Sequence, residues 1–262
     1  MQARTLLSGK RGLVMGVAND KSIAWGIAKA AANQGAEVAF SFQIEGFRKR
    51  LAPLADSIGS TIMIKCDVAE EGAVDHCFAE LATHWPTIDF VVHALAFSDK
   101  NELKGSYMNT SRDNFANTMI VSAYSFTEVA RAASAMMPAG GALVTLSFLG
   151  AQRSTPNYNV MGVAKAALES SVRYLAVDLG GQNIRVNALS AGPMRTLAGA
   201  AITGARHIFR HSEHNAPLQR NPGLEEVGKA GLYLLSNLSS GVTGEVHFVD
   251  GGYNCVGIPG EP

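Results

Sequence analysis

Short, strongly apolar runs alternate with longer alanine-rich runs along most of the chain. The short runs are rich in β-branched residues and predict strands, whereas the longer runs predict helices. The predicted strands are 11–17, 36–42, 61–68, 88–97, 141–148, 184–192 and 244–252, and the predicted helices are 22–34, 44–58, 74–85, 111–136 and 158–180. Strands that alternate with helices form parallel sheets, and strands that are apolar at nearly every position are covered on both faces. The pattern therefore predicts an α/β fold, a seven-stranded parallel sheet with helices on both faces.

One segment, residues 195–222, breaks this alternation between the sixth strand and the last helix. Long excursions within compact domains are commonly lids or binding loops. The chain contains no linker, repeat or low-complexity segment. We therefore expect residues 1–262 to form a single domain that carries this insertion.

The composition excludes several classes of protein. Of 262 residues, 47% are hydrophobic and 17% charged, and the formal net charge is zero, so no overall field attracts nucleic acid or an anionic membrane. No stretch of about eighteen apolar residues predicts a membrane span, and the first residues lack a signal-peptide pattern. Cys66, Cys77 and Cys255 have neither paired nor metal-binding spacing. We expect free thiols, no metal site and a cytoplasmic location.

The connection after the first strand is a candidate phosphate site, because ligands of parallel α/β sheets bind beyond the carboxyl ends of the strands. It reads "MGVANDKSIAWG", in which Gly16 permits a tight turn and Ser22 can cap the following helix. Backbone N–H groups at a helix start can hold a pyrophosphate. The spacing is not G-x-G-x-x-G, so these residues alone predict either a phosphate-binding loop or an ordinary strand-to-helix connection.

The second strand is followed by Gln43, where folds that prefer NAD usually carry an acidic residue for the ribose. A neutral amide can hydrogen-bond a ribose, and it offers no charge to a 2′-phosphate. The next arginine is Arg48. This arrangement favours NADH over NADPH. Asp67, near the end of the third predicted strand, would lie by the adenine or would cap the next helix.

Tyr158 and Lys165 form the most informative pair in the chain. Lys165 follows Tyr158 by seven positions, nearly two helical turns, so the side chains share one face. An exposed pair at this spacing is commonplace. This pair, however, begins the helix after the fifth strand, again at the ligand-binding edge of the sheet. There a lysine would hold a cofactor ribose, and its charge would favour the tyrosine hydroxyl as donor to a developing oxyanion.

Five motifs together resemble the bacterial NADH-dependent enoyl-acyl-carrier-protein reductases of the FabI type, within the short-chain dehydrogenase/reductase superfamily. They are "GVANDKSIAWGIA", "CDVAE", "PNYNVMGVAKA", "RVNALSAGPMRTLA" and "GEVHFVDGG", and the likeness runs from about Ser8 to Gly252. Ordinary members of the superfamily carry the tyrosine and lysine one helical turn apart. The longer Tyr158–Lys165 spacing is typical of the enoyl reductases. The resemblance implies a Rossmann-type, doubly wound fold with a helical substrate-binding lid.

The resemblance also implies NADH as cofactor and assigns residues to its parts. Those near the adenosine and pyrophosphate would be Gly16, Ser22, Ile23, Gln43, Asp67 and Val68. Leu95 would lie beside the cofactor, and Lys165 would bind the nicotinamide ribose. The stretch that closes over the nicotinamide would be Met194, Arg195, Thr196, Leu197 and Ala198, with the Met194 backbone holding the carboxamide.

For the substrate, the resemblance implies a trans-2-enoyl thioester whose carbonyl meets Tyr158, with Tyr158 and Lys165 as the catalytic residues. Hydride addition at the β-carbon would form an enolate that is protonated at the α-carbon. The substrate-binding residues would be Ser98, Phe148, Tyr158, Met161, Ile202 and Phe209.

This chain departs from its relatives at three places. Many relatives carry a second tyrosine at the position of Phe148, which we interpret as a wall of the acyl pocket. Ala96 stands where a glycine is usual and adds a methyl group near the cofactor. The basic cluster of the lid is thinner, because Thr203 and His207 stand where relatives carry lysine.

The lid sequence "AITGARHIFRHSEHNAP" places Arg206 and Arg210 four positions apart on one helical face. That face is either an ordinary solvated surface or, as the resemblance implies, a dock for acidic acyl carrier protein formed by Arg206, His207 and Arg210. Relatives are homotetramers, and we expect the same here. Two other functions remain open: a carbonyl or alcohol dehydrogenase on the same fold, and a catalytically inactive NAD-binding regulator.

Overall fold

Seven parallel strands form one sheet in the computed structural model, which describes residues 5–200 and 203–258 apart from the side chains of Ala198 and Ala200. The strands are β1 (Arg11–Met15), β2 (Glu37–Phe42), β3 (Met63–Lys65), β4 (Phe90–His93), β5 (Gly141–Ser147), β6 (Ile184–Ala191) and β7 (Val246–Val249). They are hydrogen-bonded in the order β3-β2-β1-β4-β5-β6-β7. The order reverses between β1 and β4, and such a switch point opens a crevice at the carboxyl ends of the strands.

Helices cover both faces of the sheet. The helices of the described residues are α1 (Ile23–Asn33), α2 (Glu45–Ser57), α3 (Ala73–His84), α4 (Arg112–Met119), α5 (Ser125–Ala135), α6 (Asn159–Gly180), α7 (Leu197–Ala200), α8 (Ala205–Asn215) and α9 (Leu224–Leu235). One core cluster joins α1, α2 and α9 to the sheet. The other joins α3, α5 and α6 to its opposite face. The predicted seven-stranded parallel sheet with helices on both faces is confirmed.

The strand boundaries differ from the predictions at β3, β4 and β7, which are shorter than the apolar runs that contain them. The predicted strand 88–97 ends at His93 because the chain beyond it turns towards a helix. There the Phe97 N–H donates to Ser122 Oγ at 2.9 Å, and Ser122 Oγ donates to the Phe97 carbonyl at 3.0 Å. Ser122 lies in a π-helical turn, Ile120–Tyr124, that joins α4 to α5 within the predicted helix 111–136.

Residues 195–222, the predicted insertion, contain the short helix α7 and the helix α8. Ile202, a predicted substrate residue, lies outside the described residues. Over the ranges 5–200 and 203–258, the model contains no helix of the length and apolar character that a membrane crossing requires.

Side chains buried at the centre of the sheet should contribute strongly to the free energy of unfolding. Truncation of Leu143 in β5 tests this expectation. Leu143 is fully buried, so Leu143→Ala should lower the free energy of unfolding by about 2–5 kcal/mol through lost burial and the cavity left behind. Thermal melting of the purified protein measures the change. The matched control is Leu238→Ala, which truncates a leucine that is 62% exposed and should change the melting temperature little. Equal destabilisation by the two variants would contradict this view of the core.

Candidate active site

A large cavity lies beyond the carboxyl ends of the central strands, with a volume of about 2010 Å³. Pockets for single small ligands are usually about 300–1,000 Å³. The cavity therefore has room for a dinucleotide together with a second molecule. Its wall brings together residues from the loops after β1, β4, β5 and β6 and from the 195–222 segment.

The loop after β1 is shaped by Gly16, which lines the cavity with φ at +94°. An added Cβ at this position would collide with the carbonyl oxygen of Ala94, so the backbone conformation and the space both require glycine. Leu95, predicted to lie beside a cofactor, also lines the cavity here. The two loops after β1 and β4 therefore approach each other closely at the switch point of the sheet.

Ser22 occupies the predicted N-cap position of α1, but the expected capping hydrogen bond is not made. Its hydroxyl instead accepts from the loop N–H groups of Ala18, at 3.0 Å, and Asn19, at 3.1 Å. The hydroxyl thus fixes the loop. The first backbone N–H groups of α1, beginning at Ile23, therefore receive no capping hydrogen bond from the Ser22 side chain. Such groups are suited to bind an anion, and both Ser22 and Ile23 line the cavity.

At the end of β2, Gln43 lines the cavity and its amide Nε2 donates to Asp67 Oδ2 at 2.9 Å. Asp67 also accepts from the Ala69 N–H at 3.1 Å, so it both forms the local turn and orients Gln43. The side chain of Val68 is buried in the core cluster on the α3 side of the sheet. Val68 can therefore meet a ligand only through its backbone.

Tyr158 and Lys165 are both buried and both line the cavity. Tyr158 immediately precedes α6, and Lys165 lies nearly two turns into it. The Lys165 ammonium Nζ donates to the carbonyl oxygen of Leu146 at 2.8 Å. The interpretation of the pair as an exposed helix face is wrong, because α6 packs this face against the end of β5.

Burial sets the protonation states of this pair. It raises the pKa of the Tyr158 hydroxyl well above its ordinary value, and the negative charge of Glu169 acts in the same direction. Burial lowers the pKa of Lys165 to about 8, against the opposing effect of Glu169. Near neutral pH the hydroxyl therefore keeps its proton, and the lysine carries a positive charge. In this state Tyr158 is suited to donate a hydrogen bond.

The end of β5 holds the start of α6 through three consecutive residues. The Leu146 carbonyl accepts from Lys165, and the Ser147 hydroxyl donates to Glu169 Oε1 at 2.6 Å. The ring of Phe148 meets that of Tyr158 edge-on, with centroids 5.1 Å apart. Ser147 and Glu169 are not among the residues predicted from the sequence. The one signal for them is a glutamate four positions after Lys165 on a predicted helix.

Three of the predicted substrate residues, Phe148, Tyr158 and Met161, form an apolar part of the wall. Phe148 packs on a small cluster that contains Tyr158, Met161 and Leu103. Phe148 and Met161 both line the cavity, as does Ser98, whose hydroxyl donates to the side chain of Asn114 at 3.3 Å. Ala96, the departure from the usual glycine, also faces the cavity.

The stretch after β6 borders the same cavity with the predicted residues Met194, Arg195, Thr196 and Leu197. Thr196 Oγ1 accepts from the Gly199 N–H at 3.0 Å, which fixes the first turn of α7. Ala198 lies within α7, and its side chain is not described.

Helix α8 covers the cavity from the far side. The Arg195 guanidinium lies over the Phe209 ring, 5.1 Å from its centroid, and joins the α7 segment to α8. Arg206 and Arg210 are exposed and border the cavity, whereas His207 lies outside its wall beside His211. The predicted basic face is thus formed by the two arginines at the rim.

A family model described as "Enoyl-(Acyl carrier protein) reductase" matches residues 16–254 of this chain. The chain belongs to this family. It is 58% identical over 257 residues to "Enoyl-[acyl-carrier-protein] reductase [NADH] 1" of Rhizobium meliloti, covering 98% of this chain and 94% of that protein. It is 47% identical to the FabI enoyl reductase of Escherichia coli, covering 95% of each.

A solved structure supports the same placement among the enoyl reductases. The enzyme of Anaplasma phagocytophilum, in complex with NAD, superposes with a TM-score of 0.95 at 54% identity over 100% of both chains. Similarity at this level covers the whole domain, including the cavity wall.

A substitution at Gly150 tests whether the position of the Tyr158 ring matters to enoyl reduction, the reaction after which the family is named. An added Cβ would lie 2.5 Å from the Tyr158 ring, so Gly150→Ala should displace the ring and lower enoyl reductase activity about 100-fold without unfolding the protein. Steady-state kinetics and circular dichroism measure the two effects. The matched control is Gly181→Ala, at the end of α6, where an added Cβ meets no atom within 4 Å. Full activity of Gly150→Ala would show that the ring position is not critical.

Proposed function

We propose that this protein reduces the trans-2 double bond of enoyl thioesters carried on acyl carrier protein, with NADH as the hydride donor. This is the last step of the elongation cycle of fatty-acid synthesis. The observation that carries the proposal is the wall formed by Tyr158 and Lys165, where a protonated hydroxyl and a buried ammonium border one large cavity. Family membership over nearly the whole chain supports it.

The residues present fit a dinucleotide. The tight turn at Gly16 and the open first turn of α1 suit a pyrophosphate, because the backbone approaches closely and N–H groups point outward. Gln43 and Asp67 would hold the adenosine, and Lys165 would hold the nicotinamide ribose. When bound, NADH supplies the hydride.

The adenosine end favours NADH over NADPH. A 2′-phosphate would come close to the Asp67 carboxylate, which Gln43 contacts at 2.9 Å. The first arginine after Gln43 in the sequence, Arg48, is paired with Glu45 at 3.5 Å and lies over the Phe42 ring. An acidic group without a free arginine beside it discriminates against the extra phosphate.

Tyr158 would stabilise the charge that develops during reduction. When the β-carbon of the enoyl thioester accepts the hydride, negative charge moves to the thioester oxygen. The Tyr158 hydroxyl, which burial keeps protonated, donates a hydrogen bond to that oxygen. The Lys165 ammonium adds a positive charge to the same wall. Protonation of the α-carbon then completes the saturated product.

The acyl chain would lie along the apolar wall of the cavity. Phe148 offers an apolar ring beside Tyr158, and Met161 is flexible enough to fit chains of different shape. Phe209 on α8 would cover the chain from the other side, so the segment that contains α7 and α8 would act as a lid. We extend the proposal to Ile202, whose sequence position lies within the same lid.

We further propose that the protein works in the cytoplasm as a homotetramer. Apolar side chains on the outer face of α6 support an assembly, since Tyr174 is 73% and Val177 81% exposed. Tyr124, in the π-helical turn, is 50% exposed. Large apolar side chains that stay exposed in a single chain are typical of subunit interfaces.

The assay for the proposed reaction follows the loss of reduced-nicotinamide absorbance with a trans-2-enoyl thioester, using NADH and NADPH in parallel. We expect substrate-dependent oxidation that is faster with NADH. Tyr158→Phe removes one oxyanion donor and should lower kcat by about 10²–10³-fold, with NADH affinity unchanged because the ring is kept.

Tyr107→Phe is the matched control, because it removes a hydroxyl at an exposed position outside the cavity wall and should leave kcat unchanged. A wild-type protein that binds NADH but leaves the enoyl substrate intact would exclude the proposed reaction. It would favour a carbonyl substrate or a regulatory role instead.

Carrier-protein docking is tested by replacing both Arg206 and Arg210 with alanine. Because acyl carrier protein is acidic, the double variant should raise KM for a carrier-linked enoyl substrate about 10-fold, an effect that added salt weakens. The KM for the same acyl chain on a small thioester should not change. Arg131→Ala, which removes a 62% exposed arginine from α5 outside the cavity wall, is the control. A KM that rises equally for both substrates would place the arginines in the acyl site instead.

A further inference from the structure

Glu169 is a buried carboxylate beside the catalytic pair that the reaction described so far does not use. It is 4% exposed and follows Lys165 by four positions on α6, so the two side chains lie on the same face in successive turns. A buried carboxylate is strongly destabilising unless it is paired and hydrogen-bonded. Its surroundings therefore indicate what it does.

Two neutral donors hold the Glu169 carboxylate in place. Ser147 Oγ donates to Oε1 at 2.6 Å, and Gln152 Nε2 donates to Oε2 at 3.1 Å. Hydrogen bonds to an ionised acceptor are short and strong, so both oxygens are fixed in position. Neither donor carries a charge, and the negative charge of Glu169 must be balanced elsewhere.

Lys165, one helical turn earlier on the same face of α6, is the buried cation on which this negative charge acts. Its ammonium is buried and donates to a neutral carbonyl, that of Leu146. His93 on β4 is also near, but burial lowers its pKa to about 3, so it is neutral at working pH. Tyr158 is neutral as well, because burial raises its pKa.

The charged groups on the neighbouring helices are directed elsewhere. Asp113 on α4 is exposed at the cavity. Glu128 on α5 lies near Arg131 and Asp75, on the side of α3. Among the residues that the structure describes, Glu169 is thus the buried anion that accompanies Lys165.

We propose that Glu169 is a positioning residue that keeps Lys165 charged and directed at the cofactor ribose, an inference that rests on the proposed function. Without a nearby anion, a buried ammonium loses its proton more readily. A neutral lysine would lose the charge that this wall provides to the ribose and to the developing oxyanion. The hydrogen bond from Ser147 also connects Glu169 to the end of β5. The residues on either side of Ser147 contact the proposed catalytic pair, Leu146 contacting Lys165 and Phe148 contacting Tyr158.

The test compares the pH dependence of NADH affinity and of turnover in variants at this position. In the wild type, both should fall as the pH rises through about 8, where Lys165 loses its proton. Glu169→Gln keeps the shape but removes the charge, so the alkaline limb should move down by about one pH unit. The loss should be about 5-fold at the wild-type midpoint, about 10-fold well above it and small well below it.

Three further variants identify which group causes the fall of NADH affinity and turnover at alkaline pH, the alkaline limb of the profile. Lys165→Arg carries a charge that does not titrate and should remove the limb from NADH binding. Glu169→Asp retains a carboxylate and should keep a limb close to that of the wild type, even if turnover falls because the two hydrogen bonds are strained. Glu80→Gln removes an exposed carboxylate from α3 and should change neither quantity.

The outcomes separate this inference from the proposed function. A wild type that fails to reduce the enoyl substrate overturns the proposed function, and the role assigned to Glu169 falls with it. An active wild type whose Glu169→Gln variant is slower by one factor at every pH, with the limb unmoved, overturns only the role of the charge. If Glu169→Gln does not fold, Glu169→Asp provides the test, because it keeps the carboxylate. An alkaline fall in its pH profile that is displaced by a full pH unit from that of the wild type overturns the inference equally.

Discussion

The contact between the end of β5 and the start of α6 is the constraint on which the site depends. Leu146 contacts Lys165 and Ser147 contacts Glu169, both on α6, and Phe148 contacts Tyr158, which immediately precedes the helix. Since β5 lies between β4 and β6, hydrogen-bonded on both sides, it cannot shift easily and serves as a rigid reference. A helix fixed to that reference holds a hydroxyl and an ammonium in defined positions, which is what electrostatic stabilisation of a reaction requires.

The doubly wound sheet places the other parts of the site around this contact. The strand order reverses between β1 and β4, and the cavity opens at the carboxyl ends of the strands at this switch point. One wall is rigid backbone, shaped by Gly16 and by the first turn of α1. The opposite wall is the segment that contains α7 and α8. The contact of Arg195, just before α7, with Phe209 on α8 holds the two parts of this segment together. This division suits an enzyme that holds its cofactor firmly and admits chains of different length.

The sequence predicts the sheet and both helical layers, because hydrophobic period and strand-end chemistry are local signals. The family resemblance adds many of the residues that line the cavity. It does not predict hydrogen bonds between distant elements. The Ser122 contact that ends β4 early, the Ser22 hydroxyl that turns back to its loop, and the Ser147–Glu169 pair all depend on tertiary packing. The resemblance to a known family supplied the expected roles of Tyr158 and Lys165, whereas burial in the structure explains their protonation states.

The central claim is that hydride moves to the β-carbon of an enoyl thioester held against Tyr158. The most direct measurement uses NADH deuterated at the reactive carbon of the nicotinamide, followed by mass spectrometry of the acyl product. We expect a saturated thioester with one deuterium at the β-carbon, formed by the wild type and nearly absent with Tyr158→Phe. Deuterium at a former carbonyl carbon, or an enoyl substrate recovered unchanged while NADH remains bound, would contradict it.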